Sequence, residues 1–399
     1  MRLLLPLVTV AFVAACSGPT LLDIDPKQVA AGGVVVVEGQ GFDDSLALRL
    51  EGGGGSITLA VSLVTPSSAS GTLPANTPGG EYDVVAVTAG GEARLVAGLT
   101  VVAGQLEVFF IDVGQGDATL LIAPDGSTLL VDGGPPEAVN TVRRFIDDTG
   151  GRLDRVAVTH THADHLGGMV GVLRGVDNRA GTDDDIVPGL RWIGHDDDVC
   201  DSQLCDDYRA LVGAPFEKPA IDTVLDFGGA TITVVARDAD VGSGPFSVVD
   251  DPNSLSLALL VEFGGRSLFL GGDTTGGGIG TVDIETAIAA KVGPVDVLHL
   301  NHHGSRTSSS TGFLQALQPR AVIVSVGTDN SFCHPDSDVI DRLIDLGIPA
   351  FATGAGMVDD LDRCDGLPTL WPANAREGLG TFSLVIAADG ALTLGGEPL

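Results

Sequence analysis

Apolar and polar residues alternate in short runs along residues 20–103, and this period of two is typical of half-buried β-strands. The runs are rich in β-branched residues and are separated by Gly, Pro and Ser, which favour turns. The predicted strands cover residues 34–38, 46–50, 57–64, 82–88 and 93–102. No helical period separates them. Residues 20–103 are therefore expected to form a small all-β sandwich.

The pattern changes near residue 105, where apolar strands begin to alternate with helical segments. Strands are expected at 106–113, 118–123, 128–131, 156–159, 231–236, 254–263, 267–270, 297–300 and 321–326. Helices are expected at 137–149, 166–173 and 336–346, the last with Asp336 or Ser337 as its N-cap. Residues 105–399 are therefore expected to form a second domain of the α/β class.

Residues 1–16 have the pattern of an export signal rather than of a folded element. Arg2 precedes an apolar run over 3–15, which is shorter than the roughly 20 residues that cross a bilayer. The run ends in Val13-Ala14-Ala15-Cys16, which resembles the lipobox of bacterial lipoproteins. That resemblance implies lipidation of Cys16 and attachment to the bacterial cell envelope. An ordinary secretory signal is the alternative, and either signal implies export.

Export bears on the other four cysteines, because oxidising compartments outside the cytoplasm favour disulfides. Cys200, Cys205, Cys333 and Cys364 allow three pairings. We favour Cys200–Cys205 and Cys333–Cys364, since the first pair closes a short local loop. Their spacings do not match a zinc knuckle, so a structural role is expected for all four.

The composition of the chain limits the partners that it can take. Its 53 Asp and Glu residues outnumber its 21 Lys and Arg residues, and the formal net charge is −32. Proteins that coat long nucleic acids neutralise phosphates with many basic side chains, so the charge argues against that class. A single nucleotide or phosphate in a metal site is compatible with this charge. The hydrophobic content of 44% excludes wholesale disorder.

The histidines are clustered in a way that predicts metal binding. All 8 lie between residues 160 and 334, and five of them fall in His160-Thr-His162-Ala-Asp164-His165 and His302-His303. His160 and His162 alternate at a strand end, so both rings can face one side. Asp164 and His165 follow where a helix begins, and can face a second position. Imidazole with carboxylate and no thiolate suits Zn²⁺ or Mn²⁺.

The motif His-x-His-x-Asp-His after a strand resembles that of the metallo-β-lactamase superfamily. This resemblance implies an αββα sandwich with two divalent metals at one sheet edge. Further segments are similar to the hydrolase domain of ComEC-type competence proteins and their secreted relatives: FIDVGQGDA (110–118), LVDGG (130–134), NSL (253–255), LGGD (270–273), NHHGS (301–305), SVG (325–327) and HP (334–335). Residues 20–103 resemble an immunoglobulin-like IPT/TIG module, through DIDP (23–26), GQGF (39–42) and PGGEYDV (78–84).

The superfamily resemblance implies a role for each residue of the motifs. His160 and His162 would hold one metal, Asp164 and His165 would hold the other, and Asp273 would bridge them. Either His302 or His303 would complete the second site, and His303 is favoured because Gly304-Ser305 follows it. Asp164 and His334 are the expected catalytic residues, with His334 donating a proton or binding phosphate.

Other positions are expected to support these residues. Asp132 would orient a metal ligand from behind, and Ser305 would offer a hydroxyl to an anion. Asn253 stands where many metallo-β-lactamases have a further histidine. Because Asn is a weak neutral ligand, the first metal is expected to be loosely held, unless His195 takes the missing place.

An acidic stretch over residues 176–252 is expected to be an irregular insertion over the active-site face. Within it, residues 177–185 space acidic side chains around Gly181, a pattern that suits Ca²⁺. The loop does not match the EF-hand motif, and a solvated acidic loop is the alternative.

The function implied by the resemblance is metal-dependent hydrolysis, with a metal-bound hydroxide attacking a phosphodiester. The charge favours a small or short anionic substrate, such as a nucleotide, a DNA end or a piece of an envelope polymer. A lactone or β-lactam hydrolase on the same fold is an alternative. Another alternative is a surface-anchored binding protein with an inert metal site. The β-sandwich is expected to act as a spacer, with glycan or protein binding as the alternative.

Overall fold

The computed structural model describes residues 18–52, 55–74, 77–102, 104–195, 202–213, 216–246, 251–357 and 369–399. The chain divides into two compact units, of which one ends at residue 103 and the other begins at residue 104. Cys16, Cys200 and Cys364 lie outside the described residues. Lipidation and the two cysteine pairs therefore stay predictions. No helix among the described residues combines the length and the apolarity that crossing a bilayer requires.

The N-terminal unit is an all-β sandwich, because apolar residues at every second strand position meet in one core. Its strands are β1 (Thr20–Asp25), β2 (Gln28–Ala30), β3 (Val34–Gln40), β4 (Ala47–Gly52), β5 (Gly55–Thr58), β6 (Ala60–Thr65), β7 (Ser68–Thr72), β8 (Gly80–Thr88) and β9 (Gly91–Val102). They form two sheets, with the orders β1-β3-β7-β6 and β2-β9-β8-β4-β5. The predicted strand over 57–64 is interrupted at Leu59, so that β5 and β6 belong to different sheets.

The C-terminal unit is built on two mixed sheets. Its strands are β10 (Gln105–Phe110), β11 (Thr119–Ile122), β12 (Thr128–Val131), β13 (Arg155–Val158), β14 (Leu190–Ile193), β15 (Val224–Phe227), β16 (Ala230–Ala236), β17 (Ala258–Phe263), β18 (Arg266–Leu270), β19 (Gly276–Gly278), β20 (Thr281–Asp283), β21 (Val297–His299), β22 (Ala321–Val324), β23 (Ala350–Ala352), β24 (Phe382–Ala387), β25 (Leu392–Leu394) and β26 (Glu397–Pro398). Within the described residues the sheet orders are β14-β13-β12-β11-β10-β24-β25-β26 and β15-β16-β17-β18-β21-β22-β23, beside a small β19-β20 ribbon.

Helices cover the outer face of each sheet. They are α1 (Val139–Asp148), α2 (Ala163–Leu173), α3 (Gln203–Val212), α4 (Glu285–Val292), α5 (Thr311–Leu317) and α6 (Ser337–Leu346). One apolar cluster lies between the two sheets. A second joins one sheet to α1, α2 and α3, and a third joins the other sheet to α4, α5 and α6. The unit is therefore a four-layer α/β/β/α sandwich, as the α/β expectation required.

The stretch 176–252 is not the irregular insertion that we expected. It contributes β14 to one edge of the first sheet, α3 to the helix layer, and β15 and β16 to an edge of the second sheet. Cys205 and Tyr208 of α3 are buried in the apolar cluster beneath the helices. The strand predicted at 231–236 corresponds to β16, whereas β14, α3 and β15 were not predicted, because their few buried apolar residues alternate with exposed polar and acidic ones.

Each sheet of the C-terminal unit contains a set of parallel strands whose ends carry the motif residues. Strands β12, β13 and β14 are mutually parallel, and so are β18, β21, β22 and β23. Parallel strands end at the same edge of a sheet. The residues that follow β12, β13, β18, β21 and β22 include Asp132, His160, Asp273, His302, His303 and Ser325. The histidine motifs therefore follow the ends of parallel strands in both sheets.

Candidate metal centre

The His160–His165 segment joins the end of β13 to the start of α2. His162 has extended backbone angles and is the N-cap residue of α2, so Asp164 and His165 fall in its first turn. His160 Nε2 and His162 Nδ1 lie 3.0 Å apart, at the side of the turn that faces Asp273. His160 and His165 are fully buried. The strand-to-helix turn thus presents two histidines together, followed by a carboxylate and a third histidine, as the spacing predicted.

Glycines let this turn pack closely against the end of β12. A Cβ on Gly168 would lie 1.8 Å from the carbonyl oxygen of Gly133, so any larger residue would push α2 away. The close approach brings Asp132 behind His165, where its Oδ2 accepts a hydrogen bond from His165 Nδ1 at 2.9 Å. The glycines of the motifs therefore place a carboxylate against a candidate metal ligand.

Asp273 lies at the centre of the histidine cluster, and its two oxygens face different partners. Oδ2 lies 3.6 Å from His160 Nε2 and 3.5 Å from His302 Nε2. Oδ1 lies 3.3 Å from His165 Nε2 and 3.7 Å from His303 Nε2. A carboxylate with both oxygens flanked in this way has the geometry of a bridging ligand.

His302 and His303 stand in an unusual backbone conformation. Both have left-handed angles, with φ of 53° and 52°, which non-glycine residues adopt at a cost. Their ring centroids are 6.2 Å apart and the ring planes meet at 70°. His303 Nε2 also lies 3.4 Å from Asp164 Oδ2, so this ring connects to the second position.

The side chains present fit divalent metal ions. His165 Nε2, Asp273 Oδ1 and His303 Nε2 are buried without a hydrogen-bond partner. Leaving such an atom unpaired costs about 1–3 kcal/mol, and a metal ion would satisfy all three. Groups whose ligand atoms converge within 4.8 Å include His160, His165 and Asp273, and also Asp164, His165 and His303. Imidazole nitrogens and carboxylate oxygens without thiolates are the ligands that zinc and manganese accept.

Ionised carboxylates make the site attractive to cations. Burial opposes the charge on Asp273, but the surrounding histidines outweigh it and hold the pKa of Asp273 well below its usual range. Burial also opposes the charge of Asp164, and His303 and His165 lower its pKa nonetheless. Burial would lower the pKa of His165, yet Asp273 and Asp132 raise it well above the ordinary value. The ionised carboxylates thus favour a positive charge beside them, which a bound cation can supply.

Groups behind the rings fix their orientation. The Asp132 carboxylate accepts the His165 Nδ1 proton together with the backbone N–H and the hydroxyl of Thr159, both at 2.7 Å. His303 Nδ1 lies 2.9 Å from the Ser325 carbonyl and 3.3 Å from Asp117 Oδ1. Donation from Nδ1 leaves the Nε2 lone pair directed toward Asp273. Sequence reasoning proposed the role of Asp132 but overlooked Asp117, whose only signal was its place in the FIDVGQGDA segment.

Asn253 and His195 are the two candidates for the place of the absent histidine. Asn253 lies in the short helical turn Pro252–Leu255, and its Oδ1 is buried without a partner. Its carbonyl accepts from Ser256, whose hydroxyl lies 3.4 Å from His160 Nδ1. His195 Nε2 lies 3.1 Å from the Thr161 hydroxyl instead. The convergent groups of the described residues do not include His195, and they do not include His162 or His302 either, so the role of His195 as a substitute ligand stays a prediction.

His334 lies beside the histidine pair. Its ring centroid is 5.6 Å from that of His302 and 6.4 Å from that of His303. Burial, followed by repulsion from His303 and His302, lowers the pKa of His334 to about 4. The ring is therefore neutral at neutral pH. Of the two roles expected for His334, proton donation and phosphate binding, a neutral ring favours phosphate binding through a hydrogen bond.

Ser305 and the acidic loop have neighbours that were not foreseen. The Ser305 hydroxyl bonds that of Thr307 at 3.0 Å, and the Thr307 hydroxyl lies 3.2 Å from His302 Nδ1. Ser305 therefore supports His302 from behind. In the loop 177–185 the carboxylates accept hydrogen bonds from backbone N–H groups of the loop itself, as Asp185 does from Gly181. The convergent ligand groups of the described residues do not include them, so calcium there has no support.

Comparison with known proteins agrees with this architecture. The family model described as the metallo-beta-lactamase superfamily matches residues 111–328, which is more than half of the chain. The chain belongs to the metallo-β-lactamase superfamily. This membership implies divalent metals at the site and hydrolysis as the general activity.

The curated relatives are competence and recombination proteins. The chain is 27% identical to Recombination protein 2 of Haemophilus influenzae over 243 residues, which cover 59% of this chain and 26% of that protein. It is 28% identical to ComE operon protein 3 of Bacillus subtilis over 264 residues, covering 59% of this chain and 30% of that protein. The expected resemblance to ComEC-type proteins is thereby confirmed, although the chain spans less than a third of each relative. Among solved structures, the diiron β-hydroxylase CmlA from Streptomyces venezuelae aligns with a TM-score of 0.39 and 18% identity, covering 62% of this chain and 53% of that one.

Proposed function

We propose that this chain is an exported, metal-dependent hydrolase that cleaves phosphodiester bonds in a small or short anionic substrate. The observation that carries the proposal is the position of Asp273, whose two carboxylate oxygens face separate histidines. His160 and His162 would hold the first of two metals. Asp164, His165 and His303 would hold the second, and Asp273 would be shared.

Divalent metals, when bound, supply Lewis-acid polarisation and activate water near neutral pH. The residues of the chain orient the ligands and exclude water. Asp132 and the Ser325 carbonyl hold the His165 and His303 rings in the tautomer that directs Nε2 at the site. Burial of the cluster strengthens each electrostatic contact by excluding water.

Three features support a phosphodiester as the substrate. A binuclear site stabilises both the attacking and the leaving oxygen of a phosphoryl centre. The neutral His334 ring beside the histidine pair can donate a hydrogen bond to a phosphate oxygen. Two of the relatives are named Recombination protein 2 and Competence protein ComA. These names favour a nucleic-acid fragment or a nucleotide as the ligand.

The charge distribution supports a short substrate rather than a long polymer. Arg306 and Arg320 are the few cations near the motifs in the sequence. Arg306 is paired with Asp336 through its Nε at 3.0 Å. Arg320 precedes β22, at the opposite end of the strand from Ser325, and lies 3.6 Å from Asp296. With a net charge of −32, affinity must come from the metal site itself.

The test is hydrolysis of bis(p-nitrophenyl) phosphate by the purified, metal-loaded chain and by its Asp164→Ala variant. Asp164→Ala removes a proposed ligand of the second metal. We expect kcat/KM to fall by at least about 100-fold, because metal binding contributes several kcal/mol of transition-state stabilisation. Asp341→Ala, which changes an exposed carboxylate on α6, is the matched control and should keep full activity. A metal-loaded chain that opens a lactone or β-lactam but leaves the phosphodiester intact would contradict the proposal.

A further inference from the structure

We infer that His302 is the ligand that completes the first metal position, the one held by His160 and His162, and that His303 belongs to the second. The sequence favoured His303 for the second position and left His302 without a role of its own. This inference rests on the proposed function only for the presence of divalent metals. It concerns metal binding, and turnover does not enter its test.

The two oxygens of Asp273 separate the adjacent histidines. Oδ2 faces His302 Nε2 at 3.5 Å and, at 3.6 Å, His160 Nε2. Oδ1 faces the rings of His165 and His303. His302 thus shares its carboxylate oxygen with the first-position ligand His160. His303 shares the other oxygen with a second-position ligand.

The backbone of the pair explains how neighbouring residues reach different metals. In a helix or a strand, adjacent side chains would diverge across the element and only one would reach the site. Two successive left-handed residues instead bring both rings to the Asp273 side, inclined at 70° to each other. Left-handed angles cost of order 1–3 kcal/mol per non-glycine residue, and such strain persists where function requires it.

Separate partners behind the two rings match separate metal positions. Thr307 lies 3.2 Å from His302 Nδ1 and is itself held by the Ser305 hydroxyl. Donation from Nδ1 to this hydroxyl leaves His302 Nε2 as the free ligand atom. His303 takes its support from the Ser325 carbonyl. Each ring therefore has the kind of outer partner that metal-bound histidines have.

The first position has a reason to need this ligand. Asn253 occupies the place where the superfamily resemblance implies a third histidine, and amide oxygens are weak ligands for zinc. With His302, the first position gains three imidazoles and a carboxylate oxygen, the tetrahedral number that zinc prefers. Both positions would then be fully supplied by this chain.

The test counts metals bound by His302→Asn and His303→Asn, alone and combined with His160→Asn. Asn tolerates left-handed angles better than most residues but is too short to replace the imidazole Nε2. Metal content is measured by mass spectrometry after equilibrium dialysis against Zn²⁺ or Mn²⁺. We expect the wild type to bind about two ions and each single variant about one. His160→Asn/His302→Asn should still bind about one, because both changes affect the same position, whereas His160→Asn/His303→Asn should bind none.

Two outcomes would overturn the inference. Either His302→Asn retains both ions at wild-type affinity, or the His160→Asn/His302→Asn double variant loses both. Anomalous diffraction from crystals of the longer His302→Gln variant provides a second measurement, and the expected loss is confined to the peak beside His160. A wild type that binds two ions but hydrolyses no phosphodiester would end the proposed function and leave this inference intact.

Discussion

At the scale of single residues, the site is defined by what stands behind each imidazole. His165 is backed by the Asp132 carboxylate, and His303 by a carbonyl and Asp117. The Thr159 and Ser256 hydroxyls lie 3.2 and 3.4 Å from His160 Nδ1. Because the outer partner fixes ring tautomer and direction, it controls metal affinity almost as directly as the ligand does.

Replacing Asp132 with Asn tests this role. The neutral amide accepts the His165 Nδ1 proton less strongly, so we expect metal affinity to fall by about 10–100-fold with the fold preserved. Isothermal titration with Zn²⁺ measures the affinity. Asp148→Asn, at an exposed carboxylate at the end of α1, is the control and should bind as the wild type does. Wild-type affinity in Asp132→Asn would show that Asp132 is only a turn residue.

Most of the candidate site could be predicted from residue types and their spacing in the sequence, because only a few kinds of side chain bind metals. The HxHxDH motif placed four side chains after one strand end, and the structure brings His160 and His165 of the motif within 3.6 Å of Asp273. The separate directions of His302 and His303 could not be predicted. These directions depend on the left-handed backbone angles of both histidines, and nothing in the two-histidine sequence indicates such angles.

At the scale of elements, the segment after the histidine pair is fastened to two helices. Glu285, the first residue of α4, is fully buried and accepts hydrogen bonds from the Asn301 amide at 2.8 Å and the Ser310 N–H at 2.9 Å. The Ser309 N–H also donates to it. From α6, Arg342 donates to the carbonyls of Ser308 and Ser309. These contacts hold both sides of the strained histidine turn.

Removing the Glu285 carboxylate is expected to loosen this segment. Glu285→Ala leaves three donors without an acceptor, at about 1–3 kcal/mol for each donor that stays buried. Urea denaturation should therefore show a clear loss in the free energy of unfolding. Glu285→Gln keeps one acceptor oxygen and should lose less. Equal stability of the alanine variant and the wild type would contradict this account of the turn.

Strands with one buried face could be predicted, because successive side chains of a pleated strand point to opposite faces and produce an alternation of apolar and polar residues. Others could not. β7 (Ser68–Thr72) has the composition of a turn, and β24 (Phe382–Ala387) pairs with β10 across the length of the domain. Pairing between residues so distant in sequence leaves no local pattern. Asp336 is the N-cap residue of α6 as expected, but its carboxylate binds Arg306 instead of capping the helix.

At the scale of the whole molecule, the metal centre belongs entirely to the unit that begins at residue 104. Its candidate ligands follow the ends of parallel strands in both sheets of that unit, so their convergence depends on the packing of the two sheets. The sequence could predict that the ligands follow strand ends, but it could not predict that the ends of β13 and β18, which belong to different sheets, would lie close together. That arrangement comes from the apolar cluster packed between the sheets.

The proposed hydrolase requires two metals, one on each side of Asp273, and anomalous diffraction tests for them directly. Crystals of the wild-type chain grown with Zn²⁺ or Mn²⁺ would be measured on both sides of the metal absorption edge. We predict two anomalous peaks, one between Asp273 Oδ2 and the rings of His160 and His302, and one between Oδ1 and the rings of His165 and His303. A single peak, or none in the fully loaded crystal, would contradict the account of a binuclear hydrolase.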